Sequence, residues 1–134
     1  MFDHVTIRVK DFGKAKQFYK ESLAALGFEV HHESADAIRL GAGKEPTVWI
    51  SHDTPVTTGL HLAFASPDRR RVDAFHAAAL RAGGRDNGAP GPRPDYGPNY
   101  YAAFAHDPDG NNIEAVFHGP ARRSAESILI TAAP

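Results

Sequence analysis

His4-Val5-Thr6-Ile7-Arg8-Val9-Lys10-Asp11, near the start of the chain, returns in its middle as His61-Leu62-Ala63-Phe64-Ala65-Ser66-Pro67-Asp68. The correspondence continues beyond these stretches. Phe18, Leu23 and Gly27 find Phe75, Leu80 and Gly84 at the same interval, 61 − 4 = 57 residues. Two copies of this length are too few and too long for a solenoid, so a duplicated module packed against its own copy is the simpler reading. Each opening stretch alternates with period two and reads as a strand. Asp11 and Ser66-Pro67-Asp68 then stand where a helix needs its N-cap. Residues 13–26 carry Ala15, Phe18, Tyr19, Leu23 and Leu26 at helical spacing, residues 69–82 repeat the pattern, and Gly27 and Gly83-Gly84 close the two helices.

Working outward, residues 27–32, 36–41 and 46–51 read as three more strands, separated by the turn-prone Ser34–Asp36 and Gly41–Lys44. The second copy diverges after its helix. Residues 86–99 hold four prolines, three glycines and two asparagines, which predicts a long irregular loop. Residues 100–106 and 111–118 follow as a hairpin closed by Asp107-Pro108-Asp109-Gly110. The expectation is an α+β chain of two tandem βαβββ modules forming a curled mixed sheet with helices on the outside. Module one covers about residues 1–56 and module two about 57–120 of a single domain. In the tail, 121–134, Ile128-Leu129-Ile130 suggests an edge strand or a dimer contact.

The 134 residues are 42% hydrophobic and 23% charged, with a formal net charge of −1. That balance gives no broad attraction to nucleic acid or an anionic membrane. Arg69, Arg70 and Arg71 fall where a helix starts and read as a solvated face. The absence of cysteine excludes disulfides, thiolate metal sites and cysteine nucleophiles, and fits a reducing compartment. No apolar run is long enough to span a bilayer and the N-terminus enters a strand at once, so the expected location is the cytoplasm.

Alternation assigns faces. Val5, Ile7 and Val9 pack on the helices, leaving His4, Thr6 and Arg8 on the other side. Leu62 and Phe64 leave His61, Ala63 and Ala65. Val48 and Ile50 leave Trp49, and Ile113, Ala115 and Phe117 leave Asn112, Glu114 and Val116. Together the non-helix faces carry His4, Trp49, His61 and Glu114. Two histidines and a carboxylate suit a divalent metal with open coordination positions: iron, manganese, nickel, zinc or cobalt. A strand histidine is also a common packing or hydrogen-bonding residue, and periodicity alone does not separate the two.

With Gly59-Leu60-His61-Leu62-Ala63-Phe64 and the run Asp107-Pro108-Asp109-Gly110-Asn111-Asn112-Ile113-Glu114, the paired modules resemble the vicinal oxygen chelate superfamily over about residues 2–118. That superfamily includes glyoxalase I, extradiol dioxygenases and bleomycin-binding proteins. The resemblance implies a metal held by His4, His61 and Glu114 in a cavity between modules. It further implies a lyase, isomerase or dioxygenase acting on a small oxygenated substrate by bidentate chelation, and a homodimer. The fourth ligand of glyoxalase I falls at Trp49, which binds no metal, and this speaks against ordinary lactoylglutathione lyase chemistry. The alternative the resemblance offers is a metal-free, bleomycin-resistance-type protein that sequesters a planar ligand.

Further residues complete the expected site. Trp49 and Arg8 offer stacking and anion contacts. Tyr96, Asn99 and Tyr100 offer a substrate wall, Tyr101 a general acid alongside Glu114, and His118 a group at the pocket's end. His31, His32, His52, His76 and His106 fall outside it. No serine elbow or glycine-rich phosphate loop is present.

Overall fold

The computed structural model describes residues 2–121 and builds each copy as a βαβββ unit. The first comprises β1 (Val5–Val9), α1 (Phe12–Ala24), β2 (Glu29–Glu33), β3 (Ala37–Gly41) and β4 (Val48–His52). The second comprises β5 (His61–Ala65), α2 (Arg69–Arg81), β6 (Arg85–Pro92), β7 (Tyr101–His106) and β8 (Asn112–Phe117). The suggested strand at Ile128–Ile130 lies outside the described residues.

Both helices begin as their caps dictate. The Asp11 carboxylate accepts from the Lys14 backbone N–H at 3.1 Å, and Asp68 from that of Arg71 at 2.8 Å. Both also end alike. Gly27, at φ +87°, donates to the Ala24 carbonyl while Phe28 donates to that of Leu23. Gly83, at φ +91°, donates to Leu80 while Gly84 donates to Ala79. These are the paired bonds of a left-handed C-terminal cap. The repeat interval therefore contracts from 57 at the N-caps to 56 at the closing glycines. In consequence Leu80, the sequence partner of buried Leu23, is 38% exposed, and Ala79 takes the buried place.

Each module forms a four-stranded mixed sheet, ordered β1-β4-β3-β2 and β5-β8-β7-β6, with the first two strands of each parallel. Register matters for the site. Trp49 lies between Thr6 and Arg39, and Glu114 between Ala63 and Phe104. Thr6 and Ala63 are repeat partners, so Trp49 stands at the place that Glu114 holds in module two.

The loop expected over residues 86–99 is a strand for its first part. β6 pairs with β7 through two register shifts, at Asp86/Gly88 and Gly88/Gly91. Pro90 and Pro92 are tolerated because β6 is an edge strand, where a missing N–H breaks no ladder on the outer side. The remaining residues fold back on themselves, with Arg93 donating to the Tyr100 carbonyl at 2.7 Å and Tyr96 to that of Arg93 at 3.0 Å.

One apolar core serves both modules. Ile7, Val9, Ile38 and Ile50 meet Phe18 and Leu23 of α1, Val72 and Phe75 of α2, and Ile113 and Ala115 of β8. The helices pack on each other. A buried polar network crosses the junction. The Tyr19 hydroxyl donates to Asp107 at 2.6 Å, and the Asn111 amide donates to Asp107 and to the Thr57 carbonyl. Since the helix-side faces of both sheets turn onto this core, the other face of each sheet turns away from it. No helix among the described residues is long and apolar enough to cross a membrane.

Candidate active site

On the open face of module two, Glu114 is only 1% exposed although it sits mid-strand on a non-core face. Both its oxygens are satisfied. His61 Nε2 lies 2.7 Å from Oε2, and the Tyr100 hydroxyl donates to Oε1 at 2.5 Å. Ala102, Phe104 and Val116 form a small apolar cluster beside the carboxylate, with Tyr100 packed against it. Burial, then the bond to Glu114, push the Tyr100 phenol well above its ordinary range, so this hydroxyl stays protonated. His118 meets the Tyr100 ring edge-on at 5.0 Å, and Tyr96 meets it at 5.4 Å. Asn99 packs where Gly119 leaves room for it. Ala63 and Ala65, small and exposed, leave the approach to His61 open.

The open face of module one is built differently. The His4 imidazole stacks parallel on Trp49, centroids 3.8 Å apart, and its Nδ1 meets Asp3 at 2.5 Å. The Arg39 guanidinium lies 4.2 Å from the same indole, whose N–H donates to the Pro46 carbonyl. Arg8 donates from Nε to the Pro55 carbonyl at 2.9 Å.

Thus His61, Glu114, Tyr100, Tyr96 and His118 are brought together, and His4, Trp49 and Arg8 share a second face. Tyr101 joins neither set. One residue later along the strand, it turns to the helix side, where its hydroxyl donates to Asp73 at 2.7 Å and Arg69 lies over its ring. That bond to Asp73 raises its pKa. Arg39 and Phe104 were not singled out from the sequence. Alternation against Ile38 and Leu40 was the available signal for Arg39, but an arginine in a polar position reads as solvated.

A family model described as the glyoxalase/bleomycin resistance protein/dioxygenase superfamily matches residues 1–115. The chain belongs to this superfamily. Among solved structures, a glyoxalase/bleomycin resistance protein from Albidiferax ferrireducens T118 is 32% identical, with a TM-score of 0.74 over 87% of this chain and 98% of that one. A glyoxalase-related enzyme from Fulvimarina pelagi is 18% identical, with a TM-score of 0.70 over 98% and 99% of the two chains. A lactoylglutathione lyase from Agrobacterium tumefaciens is 16% identical, with a TM-score of 0.61 over 87% and 92%. The last two likenesses concern the fold alone. No protein of curated function matches.

Divalent metals are typical of the glyoxalase superfamily. Here His61 and Glu114 supply a nitrogen and an oxygen donor that converge, which fits such an ion in kind. They do not fit it in number within one chain. Among the described residues no three His, Asp or Glu side chains gather, and His4 is on the other face.

Proposed function

We propose that the protein is a metal-dependent lyase, isomerase or dioxygenase for a small oxygenated molecule, working as a homodimer. Each site would take His61 and Glu114 from one copy and His4 from the other. The observation that carries this reading is Glu114: a fully buried carboxylate, bonded to an exposed histidine, on the sheet face that turns away from the shared core. A twofold pairing would lay the His4 face of each copy on the His61 face of its mate, twice.

When bound, the ion supplies Lewis acidity toward two vicinal oxygens of the substrate. The chain's own groups do the rest. Glu114 holds or accepts the proton that moves during the reaction, and His61 orients it. Tyr100, kept protonated, releases its bond to Glu114 and donates instead to a substrate oxygen. Trp49, with no ligating atom at the place of the fourth ligand, walls the site.

Elemental analysis of protein purified without chelator or His-tag, beside Glu114→Ala, tests the reading. Near-stoichiometric divalent metal that disappears in the variant is expected. No metal, even after reconstitution with iron(II), manganese, nickel or zinc, would favour a ligand-sequestering protein instead.

A further inference from the structure

We infer that the open face of module one recognises an oxyanion through Arg39, so that the substrate carries a carboxylate or phosphoryl group in addition to its chelating oxygens. This names the substrate class for the site proposed above and rests on that reading for where the rest of the molecule lies.

Arg39 is exposed and held on an aromatic platform. Its guanidinium lies 4.2 Å from the Trp49 centroid, and the indole is itself fixed by His4 stacking and by its N–H bond to Pro46. A guanidinium resting on a ring keeps its N–H edge free for two parallel bonds to an oxyanion, and loses less freedom in making them. Some of the other cations among the described residues are engaged with carboxylates or carbonyls. Lys14 faces Asp11, Lys16 and Lys20 face Glu33, and Arg71 faces Asp68. Arg93, which lies over Phe104 in module two, gives its donors to the Ala89 and Pro92 carbonyls. Arg39 has no carboxylate partner among the described residues.

The charge of the face agrees. Arg8, His4 and, opposite Arg39 across the ladder, His32 share it. Of the carboxylates nearby, Asp3 is engaged with His4, and Glu29 stands at the far end of the edge strand opposite Gly41. The repeat sharpens the contrast. The place beside Glu114 held by Phe104 in module two is held beside Trp49 by Arg39 in module one. One module presents an acid next to an apolar ring; its duplicate presents a cation on an aromatic ring.

Trp49 is the chain's only tryptophan, so its indole N–H gives one signal in a proton–nitrogen correlation spectrum. The wild-type protein is titrated with 3,4-dihydroxybenzoate, with catechol, which lacks the carboxylate, and with benzoate and inorganic phosphate as competitors. The expected result is a dissociation constant for 3,4-dihydroxybenzoate at least about tenfold below that for catechol, a preference erased in Arg39→Gln and partly kept in Arg39→Lys. Competition by benzoate alone assigns the group as a carboxylate, and competition by phosphate as a phosphoryl group. Equal affinities, a preference that survives Arg39→Gln, or no Trp49 response at about 10 mM probe overturns the inference. Glu114→Ala separates the two readings. If it leaves catechol binding unchanged while the Arg39-dependent preference persists, oxyanion recognition stands and the chelation reading falls. If it abolishes catechol binding while Arg39→Gln changes nothing, the reverse holds.

Discussion

Glu114 could sit buried on an open face only because two side chains cover it, and each is placed by a different kind of information. His61 is placed by parallel register, since β5 and β8 set it two residues, and so on the same face, from Ala63, the direct neighbour of Glu114. That was legible in the repeat and in strand alternation. Tyr100 is placed by the backbone turn that precedes β7, and the sequence reading favoured its neighbour Tyr101 as the acid. One residue of parity sends Tyr101 to Asp73 and leaves Tyr100 on Glu114. Adjacent tyrosines at a strand end carry no pattern that says which faces inward. Tyr100→Phe should leave Oε1 of a buried carboxylate without its donor and lower stability by about 1–3 kcal/mol in urea denaturation. An unchanged midpoint would mean that water replaces the hydroxyl at no cost.

At the scale of elements, helices were the most readable parts, because caps and closing glycines are local chemistry. Asp11, Asp68 and Gly27 act as their sequence context implies. The contraction of the repeat at α2 was not readable, because Gly83-Gly84 offers two closing positions and packing chooses the first. Gly84 is then pressed against α1. A Cβ there would meet Phe18 Cε2 at 2.5 Å and the Ala79 carbonyl oxygen at 2.8 Å. Gly84→Ala should therefore destabilise the fold by about 1–3 kcal/mol through overpacking, seen as a lower thermal midpoint. Ordinary Gly→Ala stabilisation at this position would contradict the packing described. β6 escaped the sequence reading for a different reason. Proline and glycine signal a loop in general, but an edge strand with bulges accepts both.

At the scale of the molecule, the duplication was legible, and with it two sheets of equal topology. Less legible was which way the sheets face. Strand periodicity says that His4 and His61 lie off the core, and a single curled sheet would bring them together. Tertiary packing decides otherwise within one chain. A shared core, fastened by Tyr19, Asp107 and Asn111, turns both helix faces inward and leaves the two halves of the candidate site on separate outward faces. The histidines of the repeat therefore meet only if two copies do.

That claim is tested most directly by mixing two inactive chains. His4→Ala keeps the His61–Glu114 half, and Glu114→Ala keeps the His4 half. Each alone should bind little divalent metal. Unfolded together and refolded in equal amounts, they should recover about a quarter of the wild-type metal content, since half of the random dimers would hold one intact site of two. Elemental analysis of the mixture reads this number. Failure to recover metal, with both variants folded and the wild type metal-bound, would contradict a site shared between two copies.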